Sequence, residues 1–224
     1  MSSAPASPLT SRRVALALLI LGAAGPAHAA AVRVMTRDPA GLPVADAVAS
    51  LTLDGARPAA PPAAPAPVEI VQRDEEFEPY VTPVLVGTRV AFPNRDKVQH
   101  HVYSVSPAKR FEIPLYIGDS KEAIVFDHPG VVTLGCNIHD WMVAYVVVLS
   151  TPYFAKTGAD GSALVAALPP GHYRLSVWHP RLKAAVEVDV AVPDQGEATQ
   201  VVSVVLRPDR RIRRAPDAGA AGYR

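Results

Sequence analysis

The chain has 224 residues, with 22 Lys and Arg against 21 Asp and Glu for a formal net charge of +1, and 49% of its residues are hydrophobic. That balance offers no sign of sequence-specific nucleic-acid binding, and the length is enough for one large or two small domains with real cores. The only cysteine is Cys136, which excludes an internal disulfide.

Residues 1–29 read as a signal peptide: Arg12-Arg13, the apolar run Val14 to Ala24, then Ala27-His28-Ala29 as a small-residue cleavage site. The mature chain is expected to start near Ala30. The apolar run has about 11 residues where a membrane span needs roughly 20, so export to the periplasm with no membrane span is expected, with an uncleaved anchor as the lesser alternative. Ser11-Arg12-Arg13 also resembles a twin-arginine signal, which leaves the export route open. In an oxidising compartment a lone cysteine must be buried, paired with another chain or bound to metal, and its neighbours favour metal.

Residues 31–54 read as strand, turn (Asp38-Pro39-Ala40-Gly41-Leu42-Pro43) and strand, a pair that needs a partner sheet because two strands alone are marginal in water. Residues 55–67 are almost all proline and alanine and should form an extended, semi-rigid connector. The segment 68–150 carries short β-branched or aromatic runs at Val84 to Phe92, His101 to Val105, Glu122 to Phe126, Val131 to Gly135 and Val143 to Leu149. Between them, Ser106 to Gly118 reads as a long loop with apolar residues, structural rather than catalytic. A boundary falls near Ser150-Thr151-Pro152. Residues 151–206 read as four more strands, with turns at Ala159-Asp160-Gly161 and Leu168-Pro169-Pro170-Gly171. Residues 207–224 form a locally basic tail, expected to be a solvated terminus rather than a docking segment. No long segment of helical period interrupts the strands, so an all-β protein is predicted.

The chemistry concentrates in Cys136-Asn137-Ile138-His139-Asp140-Trp141-Met142, a Cys-x-x-His-x-x-Met spacing between two predicted strands. Taken singly, Cys is usually a small core residue, Met a gap filler and His a satisfied polar group. Together they offer a thiolate, an imidazole and a thioether within one short loop. A trigonal copper site with a weak axial thioether needs one more imidazole, and the strand end at His100 supplies it. His128, His172 and His179 sit at turns or strand ends without a second ligand at useful spacing. There is no evident carboxylate pair, no Ser/His/Asp arrangement and no Gly-rich phosphate loop.

Two stretches carry a resemblance. Phe92-Pro93-Asn94-Arg95-Asp96-Lys97-Val98-Gln99-His100-His101 and Phe126-Asp127-His128-Pro129-Gly130-Val131-Val132-Thr133-Leu134-Gly135-Cys136-Asn137-Ile138-His139-Asp140-Trp141-Met142 resemble the two ligand segments of small blue-copper cupredoxins, of the plastocyanin and amicyanin kind and the methylamine-utilisation type. The resemblance covers roughly residues 68–150. It implies a Greek-key β-sandwich holding one type 1 copper ion through His100, Cys136, His139 and Met142. It assigns the upstream ligand to His100, with His101 as the alternative, although His101 points to the other side if the segment is extended. There are departures: Asp140 stands where Pro often follows the loop histidine, Val132 replaces a frequent Tyr, and His101 replaces an Asn that usually ties the ligand loops together. His101, Asn94 or Asn137 would have to serve instead.

Separately, Asp38-Pro39-Ala40-Gly41-Leu42-Pro43-Val44-Ala45-Asp46-Ala47, Thr157-Gly158-Ala159-Asp160-Gly161 and Leu168-Pro169-Pro170-Gly171-His172-Tyr173 resemble carboxypeptidase regulatory-like, transthyretin-like β-sandwiches. Two arrangements fit equally: the copper segment inserted in a loop of one such sandwich built from 31–54 and 151–206, or a loose N-terminal hairpin followed by two consecutive domains.

Four protein ligands leave no open coordination position, so the resemblance implies an electron carrier rather than an enzyme. It implies redox partners such as a cytochrome or a quinoprotein dehydrogenase, and a monomer. An envelope copper-delivery protein and a non-redox scaffold or adhesion protein are the alternatives.

Overall fold

The structure, a computed structural model, describes residues 30–55, 65–120 and 122–209. The expected signal peptide (1–29), most of the Pro/Ala connector (56–64) and most of the basic tail (210–224) lie outside the described residues.

Among the described residues there is no helix, and the chain is all-β. In chain order the strands are β1 (Ala30–Arg37), β2 (Val48–Leu53), β3 (Val68–Glu69), β4 (Val71–Arg73), β5 (Glu76–Glu78), β6 (Val81–Leu85), β7 (Thr88–Ala91), β8 (His100–Ser106) and β9 (Lys109–Tyr116). They continue with β10 (Ile124–Phe126), β11 (Gly130–Gly135), β12 (Val143–Leu149), β13 (Phe154–Lys156), β14 (Ser162–Leu168), β15 (Gly171–Trp178), β16 (Val186–Val192) and β17 (Glu197–Ser203).

Along β1 every second side chain is buried, the period-2 mark of a strand with one face on a core. It pairs antiparallel with β14 and parallel with β17. The facing sheet runs β13-β2-β15-β16. Leu51, Tyr173, Leu175, Val177, Val190 and Val202 fill the space between, so strands from both ends of the described chain share one core. Thr157 stitches them: its buried hydroxyl donates to the Val44 carbonyl at 2.9 Å and accepts from the Ala47 N–H at 2.9 Å. Gly161 is required where it stands, because its φ is +72° and a Cβ would approach the Thr36 carbonyl oxygen to 2.6 Å.

A second pair of sheets, β6-β12-β11-β8-β9 and β10-β7-β3, encloses Val84, Phe92, Val102, Phe126, Leu134 and Val146, with the β4-β5 hairpin alongside. Strand β12 serves two cores. Ala144, Val146 and Val148 face the second sandwich, while Val147 packs with Val48 and Val81 against Tyr80, Tyr145 and Trp178 of a smaller cluster at the junction.

Two expectations need correction. The stretch Val84 to Phe92 is two strands, broken at Gly87, whose φ of +90° leaves the extended region. The stretch Ser106 to Gly118 is no loop: Lys109–Tyr116 forms the edge strand β9. Pro114 makes it read as non-strand, yet proline is tolerated at a sheet edge and at bulges. The β8–β9 register slips between His100 and Val102, opposite Tyr116 and Ile113, so an extra residue is accommodated beside Pro114. Residues 68–78, unassigned in the sequence reading, form β3, β4 and β5, and residues 151–206 hold five strands rather than the expected four, the short β13 being the addition.

Candidate metal centre

The site lies where β8 begins and β11 ends. Gly135 pairs with Tyr103 across these strands, so His100, three residues before Tyr103, and Cys136, the residue after Gly135, emerge at the same end of one sheet. The bulge next to His100 breaks the regular alternation, and both His100 and His101 are buried. After Cys136 the chain loops through His139 and returns to β12 at Met142, closed by a hydrogen bond from the Met142 N–H to the His139 carbonyl at 3.0 Å.

Of the predicted residues, the structure brings His100, Cys136 and His139 together. One donor atom from each lies within 4.8 Å of the other two, and among the described residues no other group of three His, Cys, Asp or Glu side chains converges in this way. His100 Nδ1 is 3.1 Å from His139 Nδ1, and Cys136 Sγ is 3.7 Å from the same His139 nitrogen. With metal–nitrogen distances of about 2.0–2.1 Å and metal–sulfur distances of about 2.3 Å, donors this close together could hold one ion between them. Met142, 1% exposed, lies in the same core cluster as Cys136, which is 4% exposed. A thiol and two imidazoles form a soft, oxygen-free donor set, which fits copper or zinc and not magnesium or calcium.

Around this group the chain supplies polar braces. Asp96 Oδ2 lies 2.7 Å from His100 Nε2, and the Asp96 carboxylate also accepts the Asp74 N–H at 2.7 Å and the Glu75 N–H at 3.0 Å. Burial pushes the Asp96 carboxyl upward, but the hydrogen bonds from the Glu75 backbone, His100 and the Asp74 backbone outweigh it and hold it below its ordinary range. On the other imidazole, His139 Nε2 lies 4.0 Å from Glu75 Oε2, and Trp141 Nε1 donates to the Glu75 carbonyl at 3.1 Å. Tyr116, opposite His100 in the ladder, donates its hydroxyl to the Phe92 carbonyl and accepts from Gln72 Nε2. Burial raises its ionisation to about 12, so it is neutral at physiological pH.

Among the three residues considered for tying the ligand loops, Asn94 holds the upstream one: its amide donates to the carbonyls of Val98 and Tyr116, both at 2.9 Å. His101 stays outside the cluster and sets its Nε2 2.9 Å from Glu112 Oε1. His128 and His172 are exposed, and buried His179 accepts the Arg181 N–H at 3.1 Å through Nδ1. Sequence reasoning missed Asp96 and Glu75. Asp96 had a faint signal, a carboxylate four residues before a candidate ligand; Glu75 lies 64 residues from His139 and had none.

No protein-family model matches the chain, and no curated protein matches it. Among solved structures the chain is similar to a purple cupredoxin from Nitrosopumilus maritimus, at 26% identity, covering 37% of this chain and 99% of that one with a TM-score of 0.33. A reduced Cu(I) amicyanin variant is 21% identical, covering 45% of this chain and 99% of its own, with a TM-score of 0.35. A copper-containing nitrite reductase from Thermus scotoductus is 26% identical, covering 52% of this chain and 28% of its own, with a TM-score of 0.36. Each overlap is partial.

Proposed function

We propose that the chain is a periplasmic type 1 copper protein that carries single electrons between redox partners, with His100, Cys136, His139 and Met142 as the ligands. The convergence of His100, Cys136 and His139 within 4.8 Å, at one end of a sheet, carries this reading. One-electron exchange between Cu(I) and Cu(II) is the chemistry the metal supplies when bound.

The protein's part is to hold the donors still. His100 is 0% exposed and Cys136 is 4% exposed, so both are shielded from solvent, and each is set by a strand of the same sheet. Burial of this kind disfavours release of the ion by ligand exchange, which supports a carrier over a delivery protein. His139 is the ligand nearest solvent, flanked by half-exposed Ile138 and by Trp141, whose ring centroid is 5.2 Å from that of His139. That rim is the natural place for an electron to leave, toward a partner such as a cytochrome or a quinoprotein dehydrogenase.

The test is the optical and paramagnetic-resonance spectrum of the oxidised, copper-loaded protein beside a Cys136→Ser variant. An intense thiolate-to-copper absorption, absent from the variant, supports the reading. A copper-loaded protein without that band refutes it.

A further inference from the structure

Each imidazole of the cluster has a second ring nitrogen, and His100 spends its own on a carboxylate. His100 is fully buried, so Nε2 has no water to bond, and its partner is Asp96 Oδ2 at 2.7 Å. A carboxylate can only accept here, because the Asp74 and Glu75 N–H groups also point into it. Nε2 therefore carries the proton, which leaves the Nδ1 lone pair directed at His139. The carboxylate is itself fixed in advance: the Asp96 N–H donates to Asn94 Oδ1 at 2.9 Å, and Asn94 is anchored to Val98 and Tyr116.

We propose that Asp96 is the positioning residue of the metal centre. It sets the tautomer and ring plane of His100 and places a negative charge behind that ligand, which favours the more highly charged Cu(II) over Cu(I) and lowers the reduction potential. A carboxylate behind a ligating imidazole raises the ligand's basicity, and removing such a partner typically costs about 10- to 100-fold in metal affinity. The inference rests on the copper reading above, but its first test does not.

In metal-free protein, nitrogen-resolved NMR of His100 should show a slowly exchanging proton on Nε2. Absence of that proton, or its presence on Nδ1, overturns the proposal whatever metal the site takes. In copper-loaded protein, Asp96→Asn should keep the thiolate band while weakening Cu(II) binding about 10- to 100-fold. If Cu(I) binding is unchanged, that loss corresponds to a potential raised by about 60–120 mV, at 59 mV per tenfold. A folded variant with affinity and potential like those of the wild type overturns it. Should Asp96→Asn fail to fold, the NMR measurement on the wild-type chain decides. A missing thiolate band in the wild type would sink the copper reading and leave the Asp96 tautomer test standing.

Discussion

Gly135 lies against the ring of Tyr103: a Cβ at 135 would stand 3.0 Å from the Tyr103 Cζ and 3.1 Å from its Cε1 and hydroxyl oxygen. The contact joins β11 to β8 one residue before Cys136 and three residues after His100, so it sets the spacing of two donors. Elsewhere Gly→Ala at an ordinary φ tends to stabilise by about 0.4–1 kcal/mol. Here Gly135→Ala should destabilise by about 1–3 kcal/mol through overpacking and shift the copper absorption. Denaturant unfolding and the visible spectrum check both; a stabilised variant with an unshifted band contradicts this account.

Met142 is where packing can be separated from the proposed ligation. Met142→Leu conserves volume and should cost less than about 1.5 kcal/mol in the metal-free protein, whereas Met142→Ala leaves a cavity and should cost about 2–5 kcal/mol. With copper bound, both should raise the reduction potential, because loss of a donor hurts Cu(II) more than Cu(I). Voltammetry of the leucine variant isolates the electronic effect from the packing loss.

Ile138 is 50% exposed and adjoins His139. Replacing it by Lys or Asp should slow electron exchange with a partner while leaving the copper spectrum as it is, because the side chain touches solvent rather than the donors. Stopped-flow rates against a soluble cytochrome measure this; equal rates for both charged variants and the wild type would place the exit elsewhere.

Asp127 supplies the pH dependence. Lys109 Nζ at 3.0 Å and His128 Nδ1 at 3.1 Å hold its carboxyl down, to about 2. The folded value lies below the unfolded one of about 3.9, so its contribution is fully present above pH of about 4 and disappears as pH falls through about 2. The group is exposed, so the contribution is small. Carboxyl NMR titration should give that low midpoint in the wild type and one moved up toward about 3.9 in Lys109→Met.

The topology predicts the outcome of a cut. Strand β1 pairs with β14 and β17, and β2 with β13 and β15. A protease site introduced at 56–64 should therefore leave the N-terminal fragment bound to the rest through that shared core. Separation of the fragments on size exclusion under native conditions would show that the β1 and β2 ladders do not hold.

The strands legible in advance were those whose own side chains announce them. Val143 to Leu149 and Val131 to Gly135 are rich in β-branched residues, and their bounds come close to those of β12 and β11. Strand β9 was hidden by Pro114, because propensity speaks for an average position and not for an edge strand with a bulge. The short strands β3, β4 and β5 carry too few residues each for a period to show.

The amino-acid order by itself determined what is local: a run of seven residues from Cys136 to Met142 can only present its sulfur, imidazole and thioether close together, and alternation along a strand assigns faces. Only the tertiary structure decided which distant groups complete the site. That His100 stands beside Cys136, that Asp96 closes on His100 Nε2, and that the Asp74 and Glu75 amides hold Asp96 in place all depend on strand register and on a bulge. Register is a property of paired strands, set by how two faces bury their side chains together, and no single segment contains it.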